Sequence, residues 1–400
     1  MFLKRIIPYV LSFVFLGASI VYVADTDKEP QAQENEVVQT NIEKPTEEIR
    51  GVWVTYMTLD VEDEADREAA FKEKINTIIS DMKNADLNTM IVQVRPFCDA
   101  IYPSRYFPWS HILTGSQGEN PGYDPLKYIV DAAHEQNIAV HAWINPYRIS
   151  TKETPSQLSD NNPYIKKSDI GVEVNGSLYL DPSNEKAIKL ITDGVEEIVK
   201  NYDIDGIQFD DYFYPPDCGD FDEEAYESYC NSLESPLSLE EFRKENVNNM
   251  IRSVYQAVHR TKNNVLFGVS PQGNLSNNEE LCADVVKWCE ESGYIDYICP
   301  QIYFSLDNPA LTFEDGLQDW LELKTHNNLS LYVGIPAYKA GTDADEGTWL
   351  DNDDILKTEL EITREKGCDG FMLYSYDSFH NDENSEEIEN VIRYLNTPTQ

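Results

Sequence analysis

Two aspartates stand side by side in the run Phe209-Asp-Asp-Tyr-Phe-Tyr-Pro215. Adjacent like charges repel, and a fold tolerates that cost most readily where one group must hold a proton and the other must not. Cleavage of an acetal such as a glycosidic bond needs such a division of labour, with one carboxyl donating a proton and another acting as nucleophile or base. Asp210 and Asp211 are therefore the first candidates. For a second carboxyl elsewhere, Glu119, in the long loop Trp109–Tyr123, ranks ahead of Asp307 and Asp377. Asp124 precedes a helical run and reads as its N-cap, and Asp99 reads as a solvated loop acid. Arg95, Asn145, Arg148, Gln301 and Tyr303 have the donors to orient hydroxyls or an N-acetyl carbonyl, and Arg95 is placed to hold Asp210 ionised. Trp109, in a loop where packing does not call for a large aromatic, and Trp143 offer faces for stacking on a sugar ring.

These residues must be positioned by the elements around them. Short apolar runs near 51–55, 89–95, 138–144, 205–210, 265–270, 296–303, 331–337 and 370–376 alternate with stretches of helical periodicity. Eight such units in succession predict an α/β fold, a (β/α)8 barrel over 49–396. Active sites of these barrels lie at the C-terminal strand ends. In the fourth strand Ile207 and Phe209 face the helices, so Gln208 and Asp210 face the axis. The same alternation turns inward Gln93 and Arg95, Trp143 and Asn145, Gln272, Gln301 and Tyr303, and Tyr374. A mouth of amides, guanidinium, carboxylate and aromatics suits a hydroxyl-rich ligand.

The chain of 400 residues carries 31 basic and 72 acidic side chains, a net charge of −41. That excludes nucleic acid as a partner, since phosphate binding needs a basic footprint. Lys4-Arg5 and the apolar run Ile6 to Val23 read as an export signal or membrane anchor over 1–24, which places the body of the protein outside the cytoplasm. Residues 25–48 read as an acidic, disordered linker. Seven cysteines show no C-x-x-C, and six histidines show no HExxH or repeated zinc spacing. The acidic run Asp217–Glu224 lacks the spacing of a calcium loop. No cofactor or metal is expected.

Arg50-Gly-Val-Trp-Val-Thr, Gln93-Val-Arg-Pro, Pro121-Gly-Tyr-Asp-Pro-Leu, Ala142-Trp-Ile-Asn-Pro-Tyr-Arg148, Phe209-Asp-Asp-Tyr-Phe-Tyr-Pro215, Phe267-Gly-Val-Ser-Pro, Pro300-Gln-Ile-Tyr303 and Tyr374-Ser-Tyr376 occur in this order. Together the blocks resemble the bacterial glycosyl hydrolase-like family 10, over roughly 48–395. The resemblance implies an exported or envelope-attached barrel glycosidase acting on a cell-wall or related bacterial glycan, peptidoglycan strands among them. The sequence departs from the family at Ser270-Pro-Gln-Gly273, where Gln272 replaces an expected Phe and exchanges a stacking face for a hydrogen-bonding one. The alternative is a non-catalytic glycan-binding barrel tethered at the cell surface.

Overall fold

A computed structural model describes residues 44–323, 327–350 and 352–397. The segment 1–24 and nearly all of the linker 25–48 lie outside the described residues. Eight strands close a parallel barrel in sequence order: β1 (Ile49–Val54), β2 (Thr89–Arg95), β3 (Ala139–Ile144), β4 (Gly206–Phe209), β5 (Leu266–Val269), β6 (Tyr297–Ile298), β7 (Ser330–Ile335) and β8 (Gly370–Leu373). Closure is made by β1, which pairs with β2 through Gly51↔Thr89 and with β8 through Gly51↔Met372.

The crossover helices are α1 (Arg67–Asn84), α2 (Pro125–His134), α3 (Glu185–Asn201), α4 (Leu239–Thr261), α5 (Val285–Glu290), α6 (Phe313–Leu323), α7 (Ile355–Glu365) and α8 (Ser385–Leu395). Their starts follow capping chemistry. Asp124 caps α2 by accepting from Lys127 N at 3.1 Å, as its place in the sequence implies. Ser238 and Glu241 form a reciprocal capping box on α4.

The main core lies between strands and helices. A second, smaller one fills the barrel axis with Ile49, Trp53, Ile91, Trp143, Tyr297, Cys299, Tyr332 and Met372. Large rings fit there because neighbouring strands supply glycines at the matching level. A Cβ on Gly268 would stand 2.2 Å from the Tyr297 ring, and one on Gly206 would stand 2.7 Å from His141. His141 Nδ1 and Tyr297 Oη lie 3.0 Å apart, and burial pushes the imidazole down to about 4, which keeps it neutral.

Two features depart from the strand pattern. The sixth strand is far shorter than 296–303, because Pro300 has no N–H to continue the ladder; only bridges at Gln301 carry the pairing on to β5 and β7. After β3 the chain makes a three-stranded antiparallel excursion through Arg148–Ser150, Gly171–Val174 and Ser177–Leu180.

Candidate active site

Asp210 stands at the end of β4 and points into the barrel mouth, with 4% of its surface exposed. Trp143 Nε1 donates to its Oδ2 at 3.0 Å, and Asn145 Nδ2 donates to the same oxygen. Both donors come from β3 and the residue following it. The amide of Asn145 is oriented by its neighbours: its Oδ1 accepts from Gln93 Nε2 at 2.6 Å and from Arg148 Nη2 at 3.1 Å. With its oxygen so occupied, the nitrogen must face the carboxylate. Gln93 is in turn fixed by the backbone N–H of Tyr56, which donates to Oε1 at 3.0 Å.

Asp211 is 8% exposed and leans toward the β5–β6 side, where Gln272 Nε2 donates to its Oδ2. Gln272 is held through its own backbone: its N–H donates to Asn278 Oδ1 at 3.1 Å, and its carbonyl accepts from Asn278 Nδ2 at 3.0 Å. Gln272 is therefore the residue that grips the second carboxylate. Gln301 donates to Ser270 O at 3.0 Å and opposes the rise in the Asp211 pKa.

Burial, and then repulsion from Asp211, pushes Asp210 up to about 7, against the pull of Arg148. Burial also raises Asp211, with the Gln272 amide opposing it. Two carboxyls this close do not both ionise readily, so the pair retains a proton near neutrality. Arg148 is the cation of the site. Its guanidinium stacks between two rings, 4.9 Å from the Phe97 centroid and 5.2 Å from that of Tyr212, and its Nε donates to Pro96 O at 2.9 Å.

The remaining wall is aromatic. Tyr374, at the end of β8, lies 5.9 Å from Trp53, 6.5 Å from Trp143 and 5.8 Å from Tyr303 between ring centroids. Tyr212 and Tyr338 carry the aromatic surface outward, 45% and 43% exposed.

The structure thus gathers Asp210, Asp211, Trp143, Asn145, Arg148, Gln272, Gln301, Tyr303 and Tyr374 at one mouth. Arg95 is not there. The β2–β3 register slips between Gln93 and Arg95, so that Arg95 pairs with Ile144 and turns to the helix side. It is 1% exposed, its guanidinium carbon lies 4.5 Å over the Phe107 ring, and burial lowers its pKa. The ion pair expected between Arg95 and Asp210 does not form; Arg148 takes that electrostatic role. Glu119 is exposed on its loop, and Asp307 is also exposed. Asp377 is exposed too, with its oxygens accepting from Thr58 Oγ1 at 3.0 and 2.9 Å. Trp109 lines a separate cleft of about 360 Å³ with Arg105, Gly118 and Lys166. Asp99 is not solvated but fully buried, 3.4 Å from His111 Nδ1. In the run Asp217–Glu224, Asp222 is buried and binds Arg243 Nε at 2.8 Å.

Strand alternation places Gln93 in the mouth, but sequence reasoning misses Trp53 and Tyr212 as site residues. Alternation along β1 would have found Trp53, which is two residues from the inward Gly51. Tyr212 has no such signal, because it lies beyond the strand.

The C-terminal mouth of this parallel eight-stranded barrel thus holds paired carboxylates and a wall of edge-on and tilted aromatic rings. The chain belongs to the glycosyl hydrolase-like 10 family, whose profile matches residues 48–351. It is 35% identical to the glycosyl hydrolase YngK of Bacillus subtilis over 355 residues, covering 82% of this chain and 68% of YngK. It is 30% identical to the glycosyl hydrolase DigH of Escherichia coli over 358 residues, covering 80% of this chain and 81% of DigH. Among solved structures, the fold resembles the PgaB (BpsB) glycoside hydrolase domain from Bordetella bronchiseptica, with a TM-score of 0.60 at 13% identity over 89% of this chain and all of that one. It also resembles the endo-1,4-beta-mannanase from Rhizomucor miehei, with a TM-score of 0.54 at 11% identity over 87% and 94% of the two chains.

Proposed function

We propose that the protein is an extracytoplasmic glycoside hydrolase that cleaves a bacterial cell-wall glycan or a related polysaccharide. Family membership supports glycoside hydrolysis in general. The observation that carries the reading is the buried Asp210–Asp211 pair, gripped by oriented amides at the mouth of an aromatic-lined barrel. Asp210 holds the shared proton and delivers it to the glycosidic oxygen, while Asp211 remains the anion that stabilises positive charge developing at the anomeric carbon. Tyr374, Tyr303 and Trp143 provide apolar faces for the sugar, and Asn145 and Arg148 orient its polar groups. Export rests on Lys4-Arg5 and the apolar run that follows.

The test is incubation of the full chain with peptide-free peptidoglycan strands and with other bacterial glycans, followed by mass analysis. Shorter products carrying one added water per cut are expected. Glycan retention with no cut in any member of the panel would favour instead the non-catalytic binding protein, a reading that the exposed positions of Glu119 and Asp307 favour.

A further inference from the structure

Trp109 has the type and the loop position of a sugar contact, yet it stands outside the barrel mouth. The cleft of about 360 Å³ that it lines shares none of the residues gathered around Asp210. Two loops build this cleft: the one after β2, through residues 103–109, Gly118 and Asn120, and the one after β3, through Asn161 and Lys166. Its walls are fixed from behind. Glu197 on α3 accepts from Ser104 Oγ and, at 2.9 Å, from the Arg105 N–H. Ser104 Oγ accepts in turn from the N–H groups of Tyr106 and Phe107, at 3.1 and 3.2 Å. The buried Asn162 pins one loop to the other, donating to Cys98 O at 3.2 Å and to Gln117 Oε1 at 3.1 Å. Gly118 lets the two loops meet: its φ is +96°, and a Cβ there would stand 2.4 Å from Ser159 Oγ.

The charge of the lining runs against that of the chain. In a sequence with 72 acidic and 31 basic side chains, the cleft is lined by Arg105 and Lys166 and by no acid. Both cations are exposed, and neither has an ion-pair partner among the described residues. Glu119 and Asp160 adjoin lining residues in sequence but do not line the cleft. Glu197 is occupied by the loop it holds. A third cation lies behind the wall, where the buried Arg95 stands 4.5 Å over the ring of Phe107, a lining residue. Its Nε and Nη1 have no partner among the described residues. Asp99, which acts on Arg95 through its charge, is itself held by Gln117 Nε2 at 3.2 Å. Trp109 is half-buried, and its indole N–H has no partner among the described residues.

We propose that this cleft is a second glycan site, separate from the mouth, and that it takes an acidic sugar. The sugar ring lies on Trp109, and its carboxylate or phosphate meets Arg105 and Lys166. Asn120 and Asn161 supply amides for the hydroxyls. The volume lies at the small end of the range for ligand pockets, about 300–1,000 Å³, and suits a single ring with its substituent. The inference goes beyond hydrolysis at the mouth and does not depend on it.

The test is calorimetric titration of the full chain with glucuronic acid, glucose 6-phosphate, glucose and the methyl ester of glucuronic acid. At least one of the two anions should bind about tenfold more tightly than glucose and the ester. The tighter of the two identifies the natural group as carboxylate or phosphate, and either upholds the site. Trp109→Ala should weaken that binding about tenfold, and Arg105→Gln should abolish the preference for the anion, each with an unchanged melting temperature. Arg148→Met, which removes the cation of the mouth, should leave the preference in place. Equal affinity for the anions and the ester would overturn the proposal whether or not the variants fold. Undiminished binding in Trp109→Ala, or loss of the preference in Arg148→Met, would overturn it as well. None of these monosaccharides has a glycosidic bond between sugars to cut, so such results would leave the glycosidase reading intact. Absence of turnover on every glycan would overturn that reading and leave this site standing.

Discussion

Asp210 accepts hydrogen bonds from Trp143, Asn145 and the Tyr212 backbone yet is pushed up to about 7, because burial and the Asp211 charge outweigh these donors. An acid that must be protonated to act loses activity as pH rises through that value, so kcat/KM should have an alkaline limb near 7. Arg148 lowers the Asp210 pKa, and Arg148→Met should move the limb to higher pH; a pH–rate profile of the variant measures the shift, and a limb displaced downward would contradict the assignment. At this scale the sequence was a good guide where strand alternation is unbroken. It directed Asp210, Trp143, Asn145 and Gln272 correctly. It misdirected Arg95, because a single extra residue in β2 reverses every later side chain and leaves no mark in the local sequence. Asp99 was misjudged for a related reason: a loop acid looks solvated until the loop is seen folded over it.

The elements position the site by packing large rings against absent side chains. Tyr297 occupies space that Gly268 leaves on the neighbouring strand, and His141 does the same against Gly206. Gly268→Ala should therefore cost about 1–3 kcal/mol through forced displacement of the Tyr297 ring, read as a lower urea midpoint; an unchanged midpoint would mean that the axis is less closely packed than described. All eight strands were legible from apolar runs separated by helical periodicity. The antiparallel excursion after β3 was not, since its strands are only three or four residues long and include glycine. Proline explains the truncation of β6, and its effect was readable in principle from Pro300 alone.

The chain as a whole carries a net charge of −41, and its barrel also buries acids away from the mouth. Glu359 on α7 is fully buried, with neither oxygen partnered among the described residues, and burial raises its pKa well above the ordinary value. Glu387 on α8 accepts from the N–H groups of Ile355 and Leu356 at 2.8 and 3.1 Å, and burial pushes it from 4.5 up to about 7. A carboxyl whose folded pKa is raised lends stability that is complete below its unfolded value and is lost as pH rises through the folded one. The melting temperature should thus fall between about pH 5 and pH 8, and Glu359→Gln should flatten that fall; a melting temperature that rises across this range, or an unchanged slope in the variant, would contradict it. The fold class was legible from the count of strand–helix units, whereas the exposure of Glu119 was not, because it depends on how the long loop after β2 folds. The direct test of the central claim is glycan turnover by Asp210→Asn. The amide keeps the volume and shape of the side chain and removes the charge and the proton. Turnover by the full chain on peptide-free glycan strands should fall about 10³-fold or more, with the melting temperature and strand binding unchanged. Wild-type turnover in Asp210→Asn would contradict the account.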